Sequence, residues 1–232
     1  MEDLFRGIVQ AIQLIFSGNP ALYEIIELSL RVTGVALLFS TLVGIPLGAF
    51  MGLKRFAGRR LMMALLYTGM GFPPVVIGLF VYLMLSRSGP FGLLGWLFTS
   101  NAMIVAQTII SFPLVAGFTM AAVMGVDPKL RQQLRSLGAT ERQATIAILT
   151  EARLGVVVSI IAGFGSIISE VGAVMLVGGN IEGKTRTLTT AIVLETSKGD
   201  FALALALGIV LLLLSFLANL AMIRLQGQEI TR

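Results

Sequence analysis

The sequence predicts an all-α, polytopic bundle of membrane-spanning helices. Of 232 residues, 56% are hydrophobic and only 12% charged, about half the charge of an ordinary soluble domain. Several uncharged stretches are long enough to cross a bilayer, and the basic residues gather in the gaps on one side of them. A net charge of +5 is therefore read against the positive-inside rule before any nucleic-acid partner is invoked. The chain has no cysteine and no histidine. That removes disulfides, thiolate chemistry and the commonest general base and metal ligand.

Residues 1–20 form the first region. Arg6, Gln10 and Gln13 share one helical stripe, with Leu4, Phe5, Ile8, Ile12, Ile15 and Phe16 opposite. This pattern predicts an amphipathic helix lying in the headgroup plane, with a short additional span as the alternative. A signal peptide would need a basic start and an unbroken apolar core. Ser17-Gly18-Asn19-Pro20 closes the segment with turn residues.

Residues 21–232 form the membrane domain, with five predicted spans. Val32–Leu53 is uncharged and covers about 33 Å as a helix, so the span starts there or a little earlier, near Glu24. Leu61–Ser86 is the second, bent or unwound at Pro73-Pro74. Ser88–Val126 is too long for one span. Gly89-Pro90 and Gly92 break its start, leaving an interfacial or re-entrant piece at 90–98 and a third span at 101–124. Leu154–Val177, carrying Glu170, is the fourth and Phe201–Ile223 the fifth. With the N-terminus outside, the cytoplasmic face collects Lys54, Arg55, Arg59, Arg60, Lys129, Arg131, Arg135, Arg142, Arg153, Arg224 and Arg232, most of the 17 basic residues. An N-out, C-in inner-membrane topology follows.

The cytoplasmic loop 125–153 is long for a connector. Asp127-Pro128 is a helix start, Gly138 a break, and Thr140 with Gln143 a capping box. Helix, glycine, helix suits a docking element for a soluble partner, and a solvated hairpin is the plainer alternative. Here the chain resembles the permeases of binding-protein-dependent ABC importers. Their signature is Glu-Ala-Ala, three residues, Gly, then after about nine residues Ile, one residue, Leu-Pro. Gly138, Ala139 and Ile148 fit it, whereas Gln132-Gln133-Leu134 replaces Glu-Ala-Ala and Thr150-Glu151 replaces Leu-Pro.

A second stretch, Ser169 to Ile192, is similar to the molybdate, tungstate and sulfate branch of that family, which carries Gly-Asn-Ile-x-Gly-Lys-Thr after the penultimate span. Gly199 to Ile209 is similar too, and the wording comes nearest to tungstate permeases. The resemblance implies an ABC importer permease fold and an oxyanion cargo, tungstate ahead of molybdate or sulfate. It also implies a homodimer with a cytoplasmic ATPase dimer below and an extracytoplasmic oxyanion-binding protein above. ATP and magnesium would sit on the ATPase, so this chain is expected to be no enzyme and to hold no cofactor or metal. Gln132, Gln133, Leu134, Gly138, Ala139 and Ile148 would then form the ATPase-coupling loop. Membrane lipid is the remaining partner expected, and no nucleic acid.

Gly178–Thr185 also satisfies the P-loop pattern G-x-x-x-x-G-K-[ST]. The apolar run before it is long enough to span, nothing supplies a parallel sheet, and the topology places it outside. It reads instead as a Gly-rich turn, or as an outer-mouth element in which Gly179, Asn180, Lys184 and Thr185 meet the binding protein or the anion. Glu170 is the one acid well inside a span, a costly placement unless the group is paired or wet. It is either a structural partner, with Arg31 the nearest candidate cation, or part of a gate with Ser166 and Ser169. A secondary transporter would carry more ionisable groups at mid-membrane and more spans.

Overall fold

The structure, a computed structural model, describes residues 20–226 together with residues 6, 8, 9, 12 and 13. Most of the amphipathic helix predicted over 4–16 lies outside the described residues, and the five described there are helical. Ten helices follow: α1 (Pro20–Leu53), α2 (Arg59–Met70), α3 (Pro74–Leu85), α4 (Ser100–Met124), α5 (Pro128–Ser136), α6 (Glu141–Glu151), α7 (Arg153–Ile168), α8 (Gly172–Gly178), α9 (Leu188–Lys198) and α10 (Phe201–Gln226). No strand occurs among the described residues.

Three of these helices, α1, α4 and α10, are long and apolar enough to cross a bilayer as single rods. The first begins at Pro20, well before Val32, and its 34 residues make about 51 Å of helix, more than a hydrocarbon core requires. Glu24, Glu27 and Arg31 occupy the surplus turns and are exposed. The second predicted span is two helices meeting at 100°. Pro73 is the N-cap of α3 and Pro74 its first residue, a position where the missing N–H costs nothing. Between α3 and α4 the interfacial piece is a single 3₁₀ turn, Gly92–Leu94. Phe91, Leu93 and Leu94 are exposed there.

The fourth predicted span is not continuous. It stops at Ile168 and restarts at Gly172. The carboxylate of Glu170, one residue before the N-cap Val171, accepts the Ala173 amide at 2.9 Å and so satisfies one of the first N–H groups of the restarting helix. Helix α9 is additional to the five predicted spans. It packs against α10 through Leu188, Ala191, Leu207 and Val210, with Leu22 of α1 completing the cluster.

The core is the seam between α1 and α4. Gly44, Gly48 and Gly52 recur every fourth residue along α1, bringing its backbone onto Val115, Ala116, Thr119 and Val123 of α4. A Cβ at Gly48 would collide with the Ala116 carbonyl oxygen. Close approach of this kind multiplies dispersion contacts where hydrophobic sorting gives no help. The polar groups in the seam pair with each other. Ser40 bonds to Ser111 and donates to the Ala36 carbonyl. Thr119 bonds to Ser159 of α7 at 3.0 Å.

Candidate functional site

The described residues with functional chemistry gather in three places: a hairpin at the basic end, a pair of helix breaks, and a charged cavity at the opposite end.

The hairpin is α5–Gly138–α6. Asp127 Oδ1 accepts from the Lys129 amide at 2.9 Å and starts α5. Gly138 has φ +86°, a backbone conformation that carries little penalty only without a Cβ. Thr140 and Gln143 form a reciprocal capping box at the start of α6. Across the turn, Glu141 pairs with Arg131 and Arg135, both at 2.6 Å. The Arg131 hydrogen bond, aided by the charges of both arginines and Lys54, holds the Glu141 carboxyl below its ordinary range. The base of the hairpin is fixed by apolar burial: Ile148 and Ala152 pack on Ala49 and Val123 at the ends of α1 and α4.

This placement divides the predicted coupling residues. Gln132, Gln133 and Gly138 are exposed, and Leu134 and Ala139 are half-buried. Ile148 is 6% exposed, so it anchors the hairpin to the membrane helices and offers no surface to a partner. The reading of the sequence missed Leu137, which is 84% exposed at the tip. An apolar residue directly before a turn glycine, with no core face to join, was its signal.

The two helix breaks lie side by side. Gly78 of α3 packs so closely on α8 that a Cβ there would sit 2.6 Å from Ala173 Cα, and Gly172 abuts Val75. Ser166 shares a cavity of about 280 Å³ with Gly71, Pro73 and Pro74 at the α2–α3 bend. Ser169 donates to the Gly165 carbonyl at 2.9 Å and is exposed. Thr189 donates to the Glu170 carbonyl at 3.0 Å, tying α9 to the break. Gln107 of α4, unremarked in the sequence reading, donates through Nε2 to the Ile167 carbonyl at 3.0 Å. That carbonyl also accepts the Glu170 amide at 3.3 Å, so Gln107 ties α4 to the closing turn of α7. A lone long amide inside the apolar run 101–124 was its signal.

Arg31 is not the partner of Glu170. The buried face of α1 near that level runs through Ser29, Val32, Thr33 and Ala36, and Arg31 lies off it. It lines instead a cavity of about 440 Å³ at the far end with Glu24, Glu27, Glu182, Lys184 and Arg186. This cavity unites Arg31 with the loop 179–187, which the sequence left separate. Arg186 pairs with Glu182 at 3.1 Å. In that loop Gly179, Asn180 and Gly183 all have positive φ. Asn180 Nδ2 donates to the Thr190 carbonyl at 3.4 Å. Thr185 is fully buried, donating to the Gly178 carbonyl and accepting the Ile181 amide. A P-loop needs a strand before the glycines, a helix opening at the Lys-Thr, and a free hydroxyl for magnesium. Here helix α8 precedes the loop, α9 opens only at Leu188, and the Thr185 hydroxyl is consumed inside the turn.

The sequence profile of binding-protein-dependent transport system inner membrane components matches residues 44–227. This chain belongs to that family. It is 41% identical over 228 residues to the tungstate uptake system permease protein of Peptoclostridium acidaminophilum, covering 98% of this chain and 100% of that one. It is 33% identical over 219 residues to the tungstate uptake system permease protein of Campylobacter jejuni, covering 94% and 92%. Among solved structures it resembles a bacterial alginate ABC transporter crystallised with its alginate pentasaccharide-bound periplasmic protein. The TM-score there is 0.73 at 20% identity, covering 96% of this chain and 86% of that chain. Family membership and the run of apolar helices make this a multi-pass membrane permease subunit, and the fold is that of ABC importer permeases.

Proposed function

We propose that this chain is the membrane-spanning subunit of an ATP-driven tungstate importer. Two copies face each other across a two-fold axis along the membrane normal, and each rests its α5–α6 hairpin on a cytoplasmic ATPase. ATP and magnesium are held by that ATPase, and this chain catalyses no reaction. The N-terminus faces out and the C-terminus in, so the Arg31–Lys184 cavity opens toward a binding protein that delivers the anion.

The observation that carries this reading is the construction of the hairpin. It is capped at both helices, stapled by Glu141 and fixed at its base to α1 and α4. It leaves Leu137 and an open-sided Gly138 at its tip. A passive connector needs none of these. Tungstate as cargo rests on the similarity to the two tungstate permeases. The α2–α3 and α7–α8 breaks, with Ser166, Ser169 and Glu170, are the segments best built to change shape during transport.

Gly138→Val tests the proposal. A β-branched residue at positive φ is strained by about 1–3 kcal/mol, and its bulk meets whatever docks at the tip. Tungstate uptake should be abolished and ATPase co-purification weakened, with the amount in the membrane near wild type. Wild-type uptake and co-purification together would overturn the coupling role.

A further inference from the structure

A cavity of about 430 Å³ lies where α1 and α4 end and α5 begins. Its accessible apolar lining is Leu53, Met124 and Val126. Arg55, Arg59 and Arg131 line it as well. Asp127 also lines it, but its Oδ1 already accepts the Lys129 amide. Arg131 is shared with Glu141, and Arg59 donates through Nε to the Met51 carbonyl at 2.8 Å, closing the end of α1. Arg55 is exposed, with no hydrogen bond or ion pair among the described residues. Lys54 and Arg135 add their charge around Glu141. Locally, five cations face two carboxylates that are both engaged.

We infer that this cavity binds the phosphate of an anionic phospholipid. It sits at the ends of two membrane-crossing helices, which is the level of the lipid headgroups. The recognised chemistry is a tetrahedral oxyanion. A free oxyanion would use only the arginines, whereas a phospholipid also covers the apolar lining with its glycerol and first acyl carbons. A zwitterionic lipid brings a quaternary ammonium that the cations repel. Arg55, uncommitted in the fold, is the side chain with most freedom to close on the phosphate. Headgroups line both membrane faces, so the inference rests on neither the orientation nor the importer reading, and failure of the Gly138→Val test leaves it standing.

Native mass spectrometry of the full-length chain tests it, after exchange into micelles containing equal phosphatidylglycerol and phosphatidylcholine. The wild type should retain phosphatidylglycerol in preference. Arg55→Gln should lower that retention about fivefold, which corresponds to about 1 kcal/mol per basic residue at an anionic surface. Arg55→Lys should keep most of it. Arg60→Gln removes the same charge from outside the cavity and should leave retention unchanged. Equal retention of both lipids, or an equal fall in Arg60→Gln, would overturn the site in favour of diffuse surface charge. Inorganic phosphate or tungstate binding in place of lipid, with displacement of phosphatidylglycerol, would overturn the lipid assignment in favour of a free oxyanion.

Discussion

The α1–α4 seam and the α3–α8 layer are both packed through glycine, yet they are built for opposite purposes. In the seam, two long helices run unbroken although each contains a proline, Pro46 and Pro113. Tight contact at Gly44, Gly48 and Gly52, along with the Ser40–Ser111 pair, holds them over several turns. In the layer, two short helices of 12 and seven residues meet at two close contacts, Gly78 on Ala173 and Gly172 on Val75, and each hangs from a break. Proline alone therefore does not decide where a helix gives way. A single missing hydrogen bond is bridged when neighbours over-determine the path, whereas adjacent prolines at Pro73–Pro74 restart the chain in a new direction.

The sharpest way to break this comparison is Gly48→Val. Its side chain would be driven into the α4 backbone, which cannot move without dismantling the seam. The expected cost is about 3 kcal/mol, seen as a large fall in melting temperature and monodispersity of the detergent-purified protein. Gly78→Val makes a similar collision in the layer, where α3 and α8 can shift about their breaks. It should cost about 1 kcal/mol while reducing tungstate uptake more than tenfold. If the two variants lose equal stability, the layers are equally rigid and the contrast fails.

Glu170 holds the restart of the chain on the α7–α8 side. Glu170→Leu removes the acceptor for the Ala173 amide and should cost about 1 kcal/mol, measured by thermal unfolding. Glu170→Gln keeps a carbonyl oxygen at that position and should lose less. Equal loss of uptake in both variants, with normal folding, would point to the charge itself. The smallest effect belongs to Glu141. Its carboxyl is depressed in the folded state, so the staple to Arg131 and Arg135 is complete at neutral pH. It is lost only as pH falls below the ordinary carboxylate range and through the depressed value. Amide protection factors across residues 128–141 should fall at acid pH in the wild type, whereas Glu141→Gln should show the lower protection already at neutral pH and little further fall, the two converging at acid pH.

What was legible in the sequence was local. The rough place of the three continuous spans, the bend at Pro73–Pro74, and both caps of the hairpin depend on residues a few positions apart. The four-residue capping box and Asp-Pro start were therefore readable to the residue. The rest depended on which way a side chain faces. Arg31 and Glu170 looked like partners because each was an isolated charge in apolar sequence, but one faces a cavity and the other caps its own helix. Ile148 fitted a docking signature although burial makes it an anchor. Leu137 and Gln107 went unread because a single apolar or amide side chain carries no period to detect. The break at 169–171 needed the knowledge that a carboxylate would turn back onto Ala173.

The anchoring of the hairpin by Ile148 and Ala152 on Ala49 and Val123 has a mechanical corollary. Any push received at Leu137 is delivered to the lower ends of α1 and α4, and these two are the members least able to flex. A stiff pair struck at one end does not absorb the stroke. It pivots, and the travel emerges at the other end, about 37 Å away along α4. The breaks from which α3 and α8 hang lie beside the middle of α4, the α2–α3 bend at Ile109, Ile110 and Leu114 and the end of α7 at Gln107, so a stroke entering at the hairpin would reach those short segments partway along the stiff pair.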